Sequence, residues 1–234
     1  MAKLRIAEVF ASLQGEGMWA GTPSVFVRVS GCNLRCAWCD TRYASWDPEG
    51  QSIEVDEIAR QVSAHGIEHV VLTGGEPMLF DPVVDLAEAL DAAGHTITVE
   101  TAGTVHRRLP CDLMSISPKL SNSTPPGEWG VRHDRIRLDR GPLRKLVAEY
   151  SYQLKFVVSP GSGGDLYSRD LEEISELLVE LGDVQRSRVM LMAEGTDSAT
   201  LRERERELVP ICIAHGYRLA ERLHIHLFGN RRGT

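Results

Sequence analysis

The sequence lacks the marks of several large protein classes. It has no run of 18 uncharged apolar residues, so we expect no membrane-spanning helix. Glu8 interrupts the apolar residues near the N-terminus and no A-x-A site follows, which argues against a signal peptide. Basic residues are not in excess, since 26 Lys and Arg against 33 Asp and Glu give a net charge of −7. That balance disfavours a protein that coats nucleic acid. We therefore expect a cytoplasmic globular protein without a nucleic-acid or membrane partner.

The sequence also lacks an even, spread set of cysteines. Of its five cysteines, Cys32, Cys36 and Cys39 lie close together, and Cys111 and Cys212 stand alone. A disulfide framework would favour an even number spread over a small secreted chain. The tight group indicates metal or redox chemistry instead, because soft thiolates suit an iron–sulfur cluster or zinc. We expect Cys111 and Cys212 to be packing residues.

What is present is the pattern of an α/β protein. The 234 residues are 42% hydrophobic and 25% charged, which suits a single domain over 1–234. Short apolar runs predict strands at 25–29, 69–72, 95–100, 113–117, 152–158, 188–192 and 223–228. Helical patterns lie between them at 55–62, 81–93, 170–181 and 197–214. This alternation predicts parallel βαβ units in an incomplete TIM-like barrel of about six parallel strands. The loop-rich segment 121–141 gives no prediction.

The loops after these strands carry the chemically suggestive residues. They include the segments 31–32, 73–77, 100–101, 117–119, 159–160, 194–195 and 229–230. In α/β barrels the reactive groups gather at the C-terminal ends of the strands. The sequence therefore predicts one site at one end of the barrel.

The three clustered cysteines follow the pattern C-x3-C-x2-C on the loop after the first predicted strand. Three thiolates leave one iron of a [4Fe–4S] cluster open, whereas structural zinc would need a fourth ligand, for which Asp40 is the nearest candidate. With Trp38 before the last cysteine and Gly-Gly-Glu-Pro at 74–77, the sequence resembles the radical S-adenosylmethionine (SAM) superfamily. In that superfamily SAM chelates the open iron, and the Gly-Gly-Glu-Pro segment contacts the methionyl amine.

A narrower resemblance extends along the whole chain. The segments at 10–17, 21–23, 31–32, 38–41, 72–77, 100–101, 117–119 and 227–230, together with Arg28, resemble the 7-carboxy-7-deazaguanine synthase family. The resemblance implies a carbon–nitrogen lyase of queuosine-type biosynthesis that converts 6-carboxy-5,6,7,8-tetrahydropterin to 7-carboxy-7-deazaguanine with loss of ammonia. It implies SAM, a [4Fe–4S] cluster and Mg²⁺ as cofactors, a flavodoxin- or ferredoxin-type electron donor, and a homodimer. A 5′-deoxyadenosyl radical would take the hydrogen atom from C6 of the pterin.

The resemblance also implies a role for each matching residue. Cys32, Cys36 and Cys39 would bind the cluster, and Thr41 would bind Mg²⁺ together with substrate oxygens and water. The residues that would line the SAM site are Ala37, Trp38, Gly75, Glu76, Glu100, Ser117, Pro118, Lys119, Lys155 and Val158. The residues that would line the substrate site are Leu13, Gln14, Gly15, Glu16, Arg28, Asp40, Thr73 and His226. Trp38 and Lys119 have plain alternatives as a packing aromatic and a surface lysine.

The chemistry of the substrate-site residues agrees with these roles. The amide of Gln14 can pair with a lactam, and the carboxylate of Glu16 can accept from an aminopyrimidine. Arg28 alternates with valines and so lies on the other face of its strand, where its fork can bind the substrate carboxylate. His224 and His226 share a face of the last predicted strand. His226 matches the family's contact, with a structural histidine pair as the alternative.

Two other functions share part of this pattern. A radical SAM activase that makes a glycyl radical on a partner protein would have the same cysteine loop and Gly-Gly-Glu-Pro. It has no need of the segment 13–16 or of Arg28. A non-catalytic Fe–S or zinc binding module would need the cysteines alone, and would not cleave SAM.

Overall fold

The computed structural model describes residues 2–161 and 167–234, and its strands form one sheet. In chain order these strands are β1 (Lys3–Leu13), β2 (Pro23–Val29), β3 (Gln51–Glu54), β4 (His69–Gly74), β5 (Thr96–Thr101), β6 (Leu113–Ile116), β7 (Tyr152–Val158), β8 (Val189–Ala193) and β9 (Arg218–Ala220). The α-helices are α1 (Arg42–Ser45), α2 (Val55–Ala64), α3 (Pro82–Ala92), α4 (Glu128–Arg137), α5 (Arg140–Glu149), α6 (Ser168–Leu181), α7 (Ser198–His215) and α8 (Leu223–Phe228).

The strand order confirms the expected barrel. It runs β3-β1-β2-β4-β5-β6-β7-β8-β9, with every pairing from β2 to β9 parallel. The parallel part is thus close to the expected number of about six strands. The remaining two strands, β1 and β3, pair antiparallel at one edge. The C-terminal ends of the parallel strands therefore open on the same side.

Strand alternation decides which side chains reach the interior. In β2, Val25, Val27 and Val29 join the core that the helices cover, whereas Phe26 and Arg28 line the interior. The predicted opposition of Arg28 to the valines is confirmed. In β7, the same rule sends Val158 outward into the helix-covered core and Lys155 inward. Each strand thus contributes alternate residues to the core and to the site.

The helices cover the outer face as their patterns predict. Val55, Ile58 and Val62 of α2 are buried in the core at helical spacing. Helix α3 begins at Pro82 as expected, since a proline at the first position lacks an N–H that would be unbonded there anyway. Asp81 pairs with Arg107 and does not cap the helix with its side chain.

The last predicted strand is wrong: residues 223–228 form α8. Leu223, Ile225 and Leu227 alternate with polar residues, and a pattern this short does not distinguish a strand from a helix. Only Ile225 is buried, and the place beside β8 is taken by β9. The prediction that His224 and His226 share a strand face is therefore also wrong, because both lie on a helix.

The sequence patterns also do not predict several shorter or more exposed elements, among them β1, β3 and β9. The first strand, β1, pairs antiparallel with β2 and is partly exposed. Its sequence mixes polar and apolar residues without a clear apolar run, so it does not show as a strand. The segment 121–141, which gave no prediction, contains α4 and the start of α5. Within the described residues, we find no helix that combines the length and the apolar character needed to cross a membrane.

Candidate functional site

A cavity of about 430 Å³ opens at the C-terminal ends of the parallel strands, at the end where the sequence places the site. Most of the predicted site residues line it: Leu13, Gln14, Gly15, Glu16, Arg28, Cys32, Cys36, Trp38, Cys39, Asp40, Thr41, Thr73, Gly75, Glu100, Ser117, Lys119 and Lys155. The predicted residues outside the lining are Ala37, Glu76, Pro118, Val158 and His226. The predicted SAM and substrate residues thus share one cavity.

Backbone contacts hold the cysteine loop against the turn after β4. Gly75 N–H donates to Val29 O at 3.0 Å, and Glu76 N–H donates to Gly31 O at 2.9 Å. The approach is so close that a Cβ on Gly75 would lie 2.2 Å from Gly31 O. Only glycine fits there. The second glycine of Gly-Gly-Glu-Pro therefore fixes the position of the loop that carries the cysteines.

The three thiols fit a cluster better than a single ion. Burial raises the pKa of Cys32 to about 12 and that of Cys36 to about 11, so each thiolate needs a bound cation to form at neutral pH. Within residues 2–161 and 167–234, no three His, Cys, Asp or Glu side chains converge on one ion. Zinc requires such convergence. A [4Fe–4S] cluster does not, because each cysteine binds a different iron.

The Glu76 carboxylate is hydrogen-bonded to its own turn and to the neighbouring strand end. It is fully buried, and it accepts hydrogen bonds from Met78 N (3.1 Å), Ala102 N (2.8 Å) and Thr101 Oγ1 (2.8 Å). These three donors come from the turn after β4 and from the end of β5, so the carboxylate joins these two segments beneath the predicted SAM site. The lining of the cavity is formed instead by the backbone of Gly74 and Gly75.

Trp38, Ser117 and Lys119 form a small polar and aromatic wall beside the cysteines. Lys119 Nζ donates to Ser117 Oγ at 2.7 Å and lies 5.4 Å from the centre of the Trp38 ring. The indole N–H of Trp38 donates to Asn122 O at 3.1 Å. Lys119 is thus held at the site rather than solvated at the surface.

The other predicted SAM residues outside the lining have local explanations. Ala37 donates its backbone N–H to Ser123 O at 2.9 Å, and its side chain is exposed. Pro118 is buried beneath the wall, and Val158 points to the outer core because of the strand alternation. In β7 the inward residues beside it, Lys155 and Val157, line the cavity instead.

A buried ionic network centres on Glu16. Lys155 Nζ bonds Glu16 Oε2, and Arg222 Nε lies 3.3 Å from Glu16 Oε1. Burial alone would raise the pKa of Glu16, but the charges of Lys155 and Arg222 outweigh it and hold that pKa well below its usual range. Arg222 also pairs with Asp40 through Nη2 and donates to Gly195 O at 2.6 Å. The charge of Arg222 lowers the pKa of Asp40 against the opposing effect of desolvation, although the Asp40 side chain is partly exposed.

A second chain of hydrogen bonds passes from β4 through β5 to the loop after β1. Thr73 Oγ1 donates to Glu100 Oε2 at 2.9 Å, and Gln14 Nε2 donates to Glu100 Oε1 at 3.3 Å. Gln14 Oε1 accepts the backbone N–H of Glu16 at 3.1 Å. Gln14 is almost fully buried, so its amide holds the loop in place. A direct contact of Gln14 with a substrate edge would require these bonds to rearrange.

The two C-terminal histidines have different surroundings. The ring of His224 lies in the cavity wall against Gly15. His226 turns away: its Nδ1 is 2.9 Å from Ser198 Oγ and its Nε2 is 3.0 Å from Glu205 Oε1. On helix α8 these residues are two positions apart and so do not share a face. His224, and not the predicted His226, is therefore the histidine that lines the cavity.

Thr41 provides one candidate oxygen for a cation. It lines the cavity, and its Oγ1 lies 3.8 Å from Cys39 Sγ. Since the described residues offer no cage of carboxylates, Mg²⁺ at Thr41 would take its remaining ligands from substrate and water. A hard, hydrated ion of this kind tolerates such a site.

Sequence reasoning missed several residues of the cavity. Arg222, Tyr43 and His224 line it together with the C-terminal segment 230–234. Arg222 follows β9 and carries no spacing signal, so only the fold brings it to Glu16. His224 was visible as one of two histidines, but the strand assignment gave no reason to prefer it.

Comparison with known proteins finds relatives along the full chain. Residues 26–139 match the Radical SAM superfamily. The 7-carboxy-7-deazaguanine synthase of Halobacterium salinarum is 47% identical over 99% of this chain and 93% of its own length. That of Rhodopirellula baltica is 42% identical over 100% of this chain and 90% of its own length.

Solved structures show the same likeness. The crystal structure of QueE from Escherichia coli matches with a TM-score of 0.71 at 25% identity and covers 95% of each chain. A structure of TYW1 with a lysine–pyruvate adduct matches with a TM-score of 0.56 at 14% identity, over 82% of this chain and 72% of that chain. At that identity the second match shows the fold alone.

Proposed function

Because the chain belongs to the 7-carboxy-7-deazaguanine synthase family, it is a radical SAM lyase of deazapurine biosynthesis, and we propose how its cavity works. The substrate is a pterin, and we propose 6-carboxy-5,6,7,8-tetrahydropterin, which loses ammonia to give 7-carboxy-7-deazaguanine. The observation that carries the proposal is the single cavity that joins the cysteine loop to Arg28 and Glu16. A cluster-binding module or a protein activase has no need of the largely buried Arg28 and Glu16.

Family membership implies a [4Fe–4S] cluster and SAM, and Cys32, Cys36 and Cys39 are the ligands we propose for the cluster. When bound, these groups would supply a 5′-deoxyadenosyl radical, which would take the hydrogen atom from C6 of the pterin. We propose that Mg²⁺ binds at Thr41. We propose that the backbone of Gly74 and Gly75, which lines the cavity, faces SAM.

The charged side chains of Arg28 and Glu16 orient the substrate in the cavity. Within the described residues, no hydrogen bond uses Nη1 or Nη2 of Arg28, so this pair of donors is open to the substrate carboxylate. Glu16 accepts from the pyrimidine end, where Lys155 and Arg222 keep it ionised. The apolar side chains of Phe10 and Phe26, whose rings stack at 5.1 Å, exclude water around Arg28.

The partners and the compartment are also part of the proposal. We expect a flavodoxin- or ferredoxin-type electron donor and a homodimer. Five free cysteines, two of them buried, suit a reducing cytoplasm.

The test is an anaerobic reaction with iron and sulfide reconstitution, dithionite, SAM, Mg²⁺ and 6-carboxytetrahydropterin, with products identified by mass spectrometry. We expect the deazapurine from the wild type and from Cys111→Ala, and none from Cys36→Ala. 5′-Deoxyadenosine without deazapurine would retain radical SAM chemistry but reject the substrate, as for an activase. Neither product from iron-loaded protein would favour the binding module.

A further inference from the structure

Glu8 is a largely buried carboxylate that the roles above do not use. It lies on β1 directly opposite Arg28 of β2, and its side chain is 12% exposed. Its Oε1 accepts from Arg28 Nε at 2.6 Å and from Tyr43 O–H at 2.5 Å. Burial raises the pKa of Tyr43 to about 12, so its hydroxyl remains a donor at neutral pH. Glu8 on β1 thus connects Arg28 on β2 with Tyr43, which follows the cysteine loop.

The way in which Glu8 binds Arg28 leaves a defined part of the guanidinium open. The bond uses Nε, the donor nearest the strand, so the plane of the guanidinium is fixed on one side. The terminal Nη1 and Nη2 have no hydrogen-bond partner among the described residues, and Arg28 lines the cavity. Two parallel N–H donors in one plane match the two oxygens of a carboxylate.

The other oxygen of Glu8 meets the C-terminal segment. Arg232 Nε lies 3.5 Å from Glu8 Oε2, and the Arg232 guanidinium lies 4.0 Å from the centre of the Tyr43 ring. Arg232 Nη1 also pairs with Glu49 at 2.8 Å. Glu8 therefore has a cationic partner near each of its two oxygens, Arg28 at Oε1 and the half-exposed Arg232 at Oε2.

We propose that Glu8 is a positioning residue that aims the Nη1 and Nη2 donors of Arg28 at the carboxylate of the substrate. The inference rests on the proposed function, because it takes a carboxylated pterin as the ligand. A long arginine side chain without Glu8 would lose this orientation and regain rotamer freedom, and a small misplacement of a binding group has a large effect on affinity.

Charge alone predicts the opposite effect of removing Glu8. A carboxylate close to Arg28 repels an anionic substrate, so its loss would strengthen binding if Glu8 acted only through its field. Glu8→Ala removes both the charge and the acceptor, whereas Glu8→Gln keeps an acceptor for Arg28 Nε. The two substitutions therefore separate positioning from electrostatics.

The test uses reconstituted holoprotein with SAM and measures binding by equilibrium dialysis. The two probes are 6-carboxypterin and pterin, which lacks the carboxylate. We expect Glu8→Ala to weaken the binding of 6-carboxypterin by about 10-fold and that of pterin by less than about 3-fold. We expect Glu8→Gln to stay within about 3-fold of the wild type for both probes. Glu49→Ala, which removes another partner of Arg232 but does not touch Arg28, is the matched control.

A cycle that combines Glu8→Ala with Arg28→Ala tests whether Glu8 acts through Arg28. If Glu8 acts through Arg28, Glu8→Ala has no further effect in an Arg28→Ala background. An equal loss in both backgrounds, unchanged or tighter binding by Glu8→Ala, or no preference of the wild type for the carboxylated probe would each overturn the proposal. Product formation by the wild type tests the proposed function separately, so the two failures are distinguishable.

Discussion

Gly15 and His224 are in direct contact across the mouth of the barrel, and a Cβ on Gly15 would lie 2.1 Å from Nδ1 of His224. Beside them, Leu223 N–H donates to Gly15 O at 2.9 Å. These contacts join the loop after β1 to the start of α8, two segments that β1 and β9 bring from near opposite ends of the sheet. Glycine is therefore needed at position 15 because the His224 ring leaves no room for a side chain, and not because of its backbone conformation.

Gly15→Ala tests this closure. The added methyl group would displace the His224 ring, since the separation is far below a normal contact distance. We expect the KM for the pterin to rise about 10-fold or more. The double variant Gly15→Ala/His224→Ala removes the clash and should behave as His224→Ala alone. A double variant whose KM rises by the product of the two single effects would show that Gly15 acts independently of His224.

His224→Ala and His226→Ala distinguish the two histidines. His224 lies in the cavity wall, whereas His226 bonds Ser198 and Glu205 between α7 and α8. We expect His224→Ala to raise the pterin KM about 10-fold and His226→Ala to change it less than about 3-fold while lowering stability by about 1 kcal/mol. Steady-state kinetics and thermal unfolding measure both effects. A larger KM effect at His226 would restore the role that the sequence resemblance suggested.

The parallel part of the fold could be predicted because it depends on local patterns. Buried strands such as β4 and β7 show as short apolar runs, and amphipathic helices such as α2 show at their own spacing. Residues 223–228 could not be predicted, because their alternation suits a strand and only the occupied position beside β8 excludes it. Local sequence does not contain that information.

The candidate site divides in the same way. The cysteine loop and the turn at 74–77 were visible because their chemistry is compressed into a few consecutive residues. The partners of Glu16 were not, since Lys155 and Arg222 come from 139 and 206 positions away. The role of the Glu76 carboxylate was also hidden, because two of its three donors, Thr101 Oγ1 and Ala102 N, come from the end of another strand. Contacts between residues so far apart in the sequence could be identified only from the folded structure.

Lys155→Met tests whether Lys155 serves the substrate or SAM. Its ammonium bonds the carboxylate of Glu16, which lies on the segment proposed for the pterin. Removal of one partner leaves a buried charge poorly compensated, at a cost of about 3–5 kcal/mol. We expect the pterin KM to rise about 10-fold or more, with SAM affinity changed less than about 3-fold. Lys145→Met, an exposed lysine on α5, is the control. A main effect on SAM affinity would return Lys155 to the SAM site.

Glu76→Gln tests the structural role of that carboxylate. Its oxygens accept from Met78 N, Ala102 N and Thr101 Oγ1, and an amide group would turn an N–H₂ towards at least one of these donors. We expect a loss of about 1–3 kcal/mol of unfolding free energy in the absence of SAM. Urea unfolding of the variant and the wild type measures it. Unchanged stability with weakened SAM binding would instead support the direct contact with the ammonium.

The stability of the protein should fall as the pH drops below about 6.5 because of His133 on α4. This buried ring accepts Arg35 N–H on Nδ1 at 3.1 Å, and its Nε2 lies 2.9 Å from Ser123 Oγ, which itself donates to Leu120 O. The neutral ring with a proton on Nε2 satisfies all these bonds. Burial, aided by Arg137, lowers the pKa of His133 to about 4.

The sign follows from this lowered pKa, since the unfolded chain binds the proton of His133 more readily than the folded one between about pH 6.5 and about pH 4. We expect about 2 kcal/mol of unfolding free energy to be lost between about pH 7.5 and about pH 5 through this group. Urea unfolding of cluster-free protein measures the loss without a contribution from acid release of iron. His133→Gln should reduce the pH dependence by that amount, and His65→Gln, at an exposed position, should not. Equal pH dependence in His133→Gln and the wild type would show that another group carries it.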